Sequence, residues 1–254
     1  MSLLEVRHLA KQFGGIKAIE EISFSVKNGA ILSIIGPNGA GKTTLFNCLT
    51  GFLKPTKGCI LLQQREITGV SADRISRLGI SRTFQNIRLF REMTVLENVM
   101  VAQHPNLRSG FLSAVFRLSR FRNEERELRE RSFEYLEFLG LETLACNMAG
   151  SLAYGIQRKI EIARAMATGA ALLLLDEPTA GMNPQETDEM MTIIRNLREL
   201  GKTVLLIEHD MKVVMGISDR IVVLDHGVKI AEGAPQEIRK NPGVIEAYLG
   251  KELD

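Results

Sequence analysis

Residues 31–49 read ILSIIGPNGAGKTTLFNCL, and the order of residue types in that stretch decides the architecture. The apolar run from Ile31 to Ile35 is short enough for a buried strand, a glycine-rich turn follows, and Leu45, Phe46 and Leu49 then recur at helical spacing. Gly36, Gly41, Lys42 and Thr43 have the spacing G-x-x-x-x-G-K-[ST], a phosphate loop in which backbone N–H groups at a helix N-terminus surround nucleotide phosphates. In this reading Gly36, Pro37, Asn38, Gly39, Ala40, Gly41, Lys42, Thr43 and Thr44 hold the nucleotide. Lys42 reaches the β- and γ-phosphates and the Thr43 hydroxyl binds Mg²⁺. The glycines allow positive φ and let the backbone approach the anion without a Cβ between them. Asn38 stands where the second glycine of the dinucleotide fingerprint G-x-G-x-x-G belongs, so the expected ligand is a nucleoside triphosphate.

The chain around this loop has 254 residues, 45% of them hydrophobic, enough for one large domain or two modest lobes with a sizeable core. A net charge of +2, from 32 basic and 30 acidic residues, lacks the basic excess that non-specific nucleic-acid binding needs, so no nucleic-acid partner is expected. Cys48, Cys59 and Cys146 lie far apart without a C-x-x-C pair, which suggests neither a disulfide framework nor a zinc site and fits a reducing cytoplasm. Glu5 and Arg7 fall where a signal peptide needs an apolar core, and no apolar run has the length of a membrane span. A soluble chain that does not itself cross a membrane is expected.

Upstream of the loop, Leu4, Val6 and Leu9, then Ile22, Phe24 and Val26, alternate as half-buried antiparallel strands separated by a turn at Gly14 and Gly15. Phe13, just before that turn, either stacks on the adenine or is a partly buried loop aromatic. Downstream, CILLQQREI and GISRTFQ read as two further strands, the second ending at Gln85. From Met93 to about Ala167 the pattern is helical, with charged residues alternating with Leu128, Phe133, Leu136 and Leu139, which marks an inserted helical lobe. Between Asn106 and Arg122 a denser apolar and basic stretch either packs within that lobe or faces a partner or lipid head groups.

The run ALLLLDEP then reads as a buried parallel strand, a helix follows from about Pro184 to Leu200, and TVLLIEHD reads as the next strand. The chain closes with RIVVLD, VKIAEG and a helical tail from about Pro235 to Leu249. Strands alternating with helices imply a parallel α/β sheet with ligands at the carboxyl ends of the strands. The expected fold is thus α/β, a P-loop NTPase core with an N-terminal antiparallel β portion and an inserted α-helical lobe. As a single nucleotide-binding domain over 1–254, its core takes 1–90 and 165–230, its helical lobe about 91–164 and its tail 231–254.

Phosphoryl transfer to water needs a metal, a group that deprotonates or positions the water, and donors for the charge that develops on the γ-phosphate. Asp176, behind four leucines, fits the Mg²⁺ acid; Glu177 beside it fits the general base; His209 at the next strand end fits the γ-phosphate donor. Gln85, read as another strand end, either touches both Mg²⁺ and the attacking water or is a surface residue.

GPNGAGKTT, TFQ at Gln85, SLAYGIQRKIEIARAM from Ser151, LLLLDEPTAGMNP and LIEHDM around His209 occur in the order and spacing of ATP-binding cassette ATPases, which this chain resembles along nearly its whole length. It resembles most the ATP-binding subunits of branched-chain amino-acid uptake systems, through RTFQNIRLFREMTVLENVMVAQH, HDMKVVMGISDRI and NPGVIEAYLG; urea and lipopolysaccharide transport ATPases are similar.

The resemblance implies an ATP hydrolase at the cytoplasmic face of the cell membrane and a head-to-tail homo- or heterodimer of cassettes. Integral permease subunits would dock near Gln85, against Asn86 to Phe90, and a solute-binding protein would act indirectly. Each ATP would lie between one phosphate loop and the other chain's signature, here Leu152-Ala153-Tyr154-Gly155-Ile156-Gln157 in place of LSGGQ, with Ala153 and Gly155 facing the partner's nucleotide. Ile156 departs from the subfamily pattern, and Asn183 stands where the family usually has aspartate. A reading from another class, an ATP-dependent clamp, would require a long coiled-coil insertion, a tandem second cassette or a basic surface. None is visible in the sequence.

Overall fold

A computed structural model describes residues 2–103 and 119–249. Ile31–Ile35 (β3) is buried at all five positions because strands flank it on both sides. It runs parallel to Thr203–Ile207 (β8) on one side and to Arg220–Asp225 (β9) on the other. Leu172–Asp176 (β7) is parallel to β8, and Ile80–Arg82 (β6) is the edge strand beyond it. Val228–Gly233 (β10) closes the opposite edge antiparallel to β9, giving the order β10-β9-β3-β8-β7-β6.

The N-terminal strands, Ser2–Phe13 (β1) and Ile16–Lys27 (β2), form the antiparallel portion expected from their alternation. With Lys57–Leu62 (β4) and Arg65–Glu66 (β5) they make a second sheet of order β2-β1-β4-β5. Leu4, Val6, Leu9, Ile22, Phe24 and Ile60 of this sheet share one core with Phe46 and Leu49 of the helix Lys42–Leu49 (α1) and with Leu32, Leu174 and Leu205 of the parallel sheet.

Two strand boundaries differ from the sequence reading. CILLQQREI is two strands, because Gln63 and Gln64, both at positive φ, make a two-residue hairpin turn. The strand expected to reach Gln85 stops at Arg82, where pairing with β7 ends at Leu174 and the Arg82 side chain turns toward Asn47 and Asp176.

By backbone proximity the chain forms two units, residues 1–82 with 171–254, and residues 83–170. The first also holds Ala72–Arg77 (α2), Pro184–Glu199 (α6), Met211–Ile217 (α7), Pro235–Ile238 (α8) and Pro242–Leu249 (α9). The expected tail helix is therefore two helices, divided before Pro242, a residue that suits a first helical turn and not a helix interior. The second unit is helical: Val95–Gln103 (α3), Ser119–Phe138 (α4) and Tyr154–Ala167 (α5). Leu128, Leu136 and Leu139 are buried as their spacing implies, whereas Phe133 is exposed. The buried Gln103 amide donates to the Leu128 carbonyl and to Ser132 Oγ, satisfying polar groups inside this unit. The apolar and basic stretch from 106 lies outside the described residues as far as 118.

Candidate active site

The turn after β3 has a shape that only glycine permits at two points. A Cβ on Gly36 would lie 2.1 Å from the Leu224 carbonyl oxygen, and one on Gly41, at φ +96°, would lie 2.6 Å from the Ala18 carbonyl oxygen. The loop is clamped there by backbone, and its outer arc carries the exposed Asn38 and Gly39. Gly41 serves as N-cap of α1 with no side-chain capping bond, so a side-chain oxygen does not fill the helix N-terminus. Lys42 is nearly buried and its ammonium donates to the carbonyls of Gly36 at 2.6 Å and Pro37 at 3.0 Å, which places a positive charge within the turn. Thr43 is exposed in the same first helical turn. A cation, a helix N-terminus and a Cβ-free backbone suit a phosphate chain.

The neighbouring strands end beside this loop in register. Asp176 pairs with Ile207, and Glu177, the next residue, donates its N–H to the Ile207 carbonyl at 2.9 Å. Ile34 pairs with Ile207 from the other side, so the strand that opens into the phosphate loop adjoins the one that leads to His209. His209 Nδ1 lies 3.8 Å from Glu177 Oε1 and 3.9 Å from Glu208 Oε2, and its ring is largely exposed. Asp210 then caps α7 by accepting from the Lys212 and Val213 N–H groups.

Glu177 itself is held at φ 47°, in the left-handed region. Gln63, Gln64 and His226 share that region because they form hairpin turns, whereas Glu177 does so at the end of a parallel strand. For a non-glycine residue this conformation costs about 1 kcal/mol or more, and the surroundings must hold it. Two residues that sequence reading missed do so. Thr179 gives both its N–H, at 3.0 Å, and its hydroxyl to Glu208 Oε1, and Glu208 is completely buried.

A third missed residue is Arg82, whose guanidinium pairs with Asp176 Oδ2 and donates to Asn47 Oδ1 at 2.6 Å. A charged residue inside an otherwise strand-like run of a buried sheet is the signal that would have found both Arg82 and Glu208. Phe13 ends β1 and is exposed, with Lys11 Nζ 5.0 Å from its ring centroid, so it is not a partly buried loop residue. Asn183, the departure after Glu177, is N-cap of α6 and forms a reciprocal capping box with Glu186, a role asparagine fills as well as aspartate.

Gln85, Ala153 and Gly155 fall in the second unit. Gln85 is exposed, in a bend three residues beyond β6. The buried Arg158 of α5 donates to the carbonyls of Phe84 and Gln85, to the Tyr154 hydroxyl at 2.8 Å and to Glu161 Oε2 at 3.1 Å. Glu161 accepts the Arg88 N–H at 2.9 Å; burial raises its carboxyl above the ordinary range, while that N–H and Arg158 oppose the rise. One helix therefore fixes the Gln85 segment and presents Ala153 at its own N-terminus, with no side-chain cap on that end. Ile156 is half-buried in the first turn.

Among the described residues no three His, Cys, Asp or Glu side chains converge on a metal position, and none of the described helices is long and apolar enough to cross a membrane. A Mg²⁺ ion here would be held by phosphate oxygens and water together with a few protein oxygens, the Thr43 hydroxyl and the Asp176 carboxylate being the candidates on the first unit.

Comparison with known proteins agrees with this geometry. Residues 19–180 match the family model described as ABC transporter, and residues 228–254 match that of the branched-chain amino acid ATP-binding cassette transporter. The chain is 52% identical over 250 residues, 98% of each chain, to the high-affinity branched-chain amino acid transport ATP-binding protein BraF of Pseudomonas aeruginosa. The ADP conformation of MJ1267, an ATP-binding cassette of an ABC transporter, superposes with a TM-score of 0.86 at 35% identity, covering 98% of this chain and 99% of that one. A dimeric post-hydrolysis cassette, MJ0796 bound to ADP and Pi, gives a TM-score of 0.77 at 27% identity over 91% of this chain and 98% of that one. The chain belongs to the ABC transporter family and is one of its ATPase cassettes.

Proposed function

We propose that this cassette is the motor subunit of a branched-chain amino-acid importer, working as a dimer bound peripherally to permease subunits at the cytoplasmic face of the membrane, with a solute-binding protein upstream. The observation that carries the catalytic part is the approach of His209 Nδ1 to within 3.8 Å of Glu177 Oε1 at strand ends beside the phosphate loop. The solute class rests on likeness to branched-chain amino acid transport proteins over 98% of the chain. Urea and lipopolysaccharide transport ATPases remain the second reading of the solute.

In this reading Phe13 stacks on the adenine and residues 36–44 enclose the phosphates, with Lys42 against the β- and γ-oxygens. Thr43 and Asp176 would hold Mg²⁺, which would spread the negative charge of the phosphate chain; Gln85 joins that set only through the resemblance of its TFQ motif. Glu177 takes a proton from water as the water oxygen bonds to the γ-phosphorus. The bond from that phosphorus to the β–γ bridging oxygen breaks, leaving its electron pair on ADP. His209 donates to a γ-phosphate oxygen and meets the charge that develops there.

Ala153 and Gly155 present a helix N-terminus to the γ-phosphate bound by the second cassette. ATP then favours the closed dimer by binding it better than the open one, and hydrolysis removes that preference. The permease subunits follow the motion through a groove at Asn86 to Phe90.

The test is reconstitution of the co-purified complex in vesicles, with uptake of leucine, isoleucine and valine measured against urea. ATP-dependent uptake of the amino acids is expected. Glu177→Gln should leave ATP bound and slow hydrolysis by about 10²-fold or more, the scale of losing a general base. Turnover of that variant at the wild-type rate overturns the assignment of Glu177, and uptake of urea alone overturns the solute class.

A further inference from the structure

Glu208 is completely buried between the β8 strand and His209, and the chemistry assigned above to Glu177 and His209 makes no use of it. An acid in that position needs hydrogen-bond donors, and those it has come from the segment after Glu177 on the adjacent strand and from its own neighbour His209. Oε1 accepts both the N–H and the hydroxyl of Thr179, two residues beyond Glu177, while Oε2 accepts the backbone N–H of His209 at 3.1 Å. Glu177 stands at φ 47° between two anchors, its own N–H on the Ile207 carbonyl and the Thr179 pair on Glu208. The direction in which the Glu177 side chain leaves the backbone follows from that conformation, so whatever holds the turn sets where the carboxylate can reach.

We infer that Glu208 is a positioning residue for hydrolysis: through Thr179 it sets the turn that aims Glu177, and through its second oxygen it fixes the start of the His209 segment, so that base and γ-phosphate donor share one buried support. The inference rests on the reading of Glu177 as the general base. A carboxylate serves here because it offers two acceptor oxygens to donors on two different segments, which neither a hydroxyl nor an apolar side chain can do.

The test uses the full chain in its co-purified complex. Thr179→Val keeps the shape of the side chain and removes only the hydroxyl; Thr179→Ser restores it. Thr179→Val and Glu208→Gln should each lower kcat about 10-fold or more with the Kd for ATP within about twofold of wild type, the pattern of an interaction that matters in the transition state. Thr179→Ser should return kcat to near the wild-type value. Wild-type kcat in Thr179→Val overturns the inference, as does a parallel loss of ATP affinity and kcat, or a Thr179→Ser variant as slow as Thr179→Val.

Glu177→Gln, measured alongside, separates the two levels. If it hydrolyses ATP normally, the base assignment has failed. If it is inert while Thr179→Val and Glu208→Gln are normal, the base assignment stands and only the role of Glu208 is lost.

Discussion

The guanidinium of Arg82 lies 2.8 Å from the Asp176 carboxylate, and both side chains are 7% exposed. Arg82 also donates to Asn47 at 2.6 Å and its guanidinium carbon sits 5.5 Å from the centroid of the Phe46 ring, so an edge strand and α1 hold the acid from behind. Taking one partner from a buried ion pair costs about 3–5 kcal/mol, because the remaining charge loses its compensation in a medium of low polarity. Arg82→Met should therefore lower the stability of the nucleotide-free chain by about 3 kcal/mol in urea denaturation. Asp176→Asn in the same background should recover part of that loss, with a coupling above about 1 kcal/mol in the double-mutant cycle. Strictly additive losses would show that the contact carries no energy of its own.

Lys42→Ala removes the cation that the turn wraps with the Gly36 and Pro37 carbonyls. Calorimetric titration should find ATP affinity reduced by about 100-fold or more, since the turn then offers the phosphate chain backbone dipoles without its cation. Retention of wild-type affinity would assign nucleotide binding to other groups. Because the ammonium also ties two loop carbonyls, a shift in Tm is expected with it, and far-ultraviolet circular dichroism distinguishes a loosened loop from an unfolded chain.

Cys48 is buried in α1, and burial pushes its thiol up to about 11, whereas Cys146 is exposed. The thiolate is the reactive form, so at pH 8 an alkylating reagent should label Cys146 within minutes and leave Cys48 unmodified until the fold opens. Mass spectrometry of the labelled peptides, with and without denaturant, reads this directly. Rapid labelling of Cys48 in the folded chain would mean that α1 opens locally.

Much of this architecture was legible because its signals are periodic or tightly spaced. The buried strands at 31–35, 172–176 and 203–207 read as apolar runs, and the phosphate loop as a fixed spacing. What escaped was set by contacts between distant segments. The strand before Gln85 looked three residues too long, because no local pattern says that pairing with β7 ends at Leu174. Glu208 could be suspected from its charge at the end of a buried strand-like run, but its role could not, because only the register of β7 against β8 brings Thr179 to it. Ala153 and Ile156 were visible as departures from LSGGQ, whereas the support that Arg158 gives to the Gln85 segment runs from its side chain to a backbone carbonyl 73 residues away.

Ile156 leads to a prediction about the dimer. It occupies the first turn of α5, half-buried, at the helix end that in the proposed dimer would offer Ala153 and Gly155 to the second cassette. The Gln157 amide beside it is turned back onto the Leu152 carbonyl at 2.7 Å, so the neighbouring glutamine is committed within its own chain. In the proposed dimer a polar group at position 156 would act on the ATP held by the partner's phosphate loop, while Lys42, Glu177 and His209 would act on this chain's own ATP. Ile156→Gln should therefore speed hydrolysis, by about 2- to 10-fold for one added hydrogen bond of ordinary net strength, about 0.5–1.5 kcal/mol, in the transition state. In a heterodimer the gain appears only at the site whose phosphate loop belongs to the partner; in a homodimer it appears at both. The measurement replaces one catalytic glutamate at a time and follows turnover at the surviving site. No change at either site, in a complex that still assembles, would show that Ile156 is a packing residue of its own helical unit and that the two sites do not differ on its account.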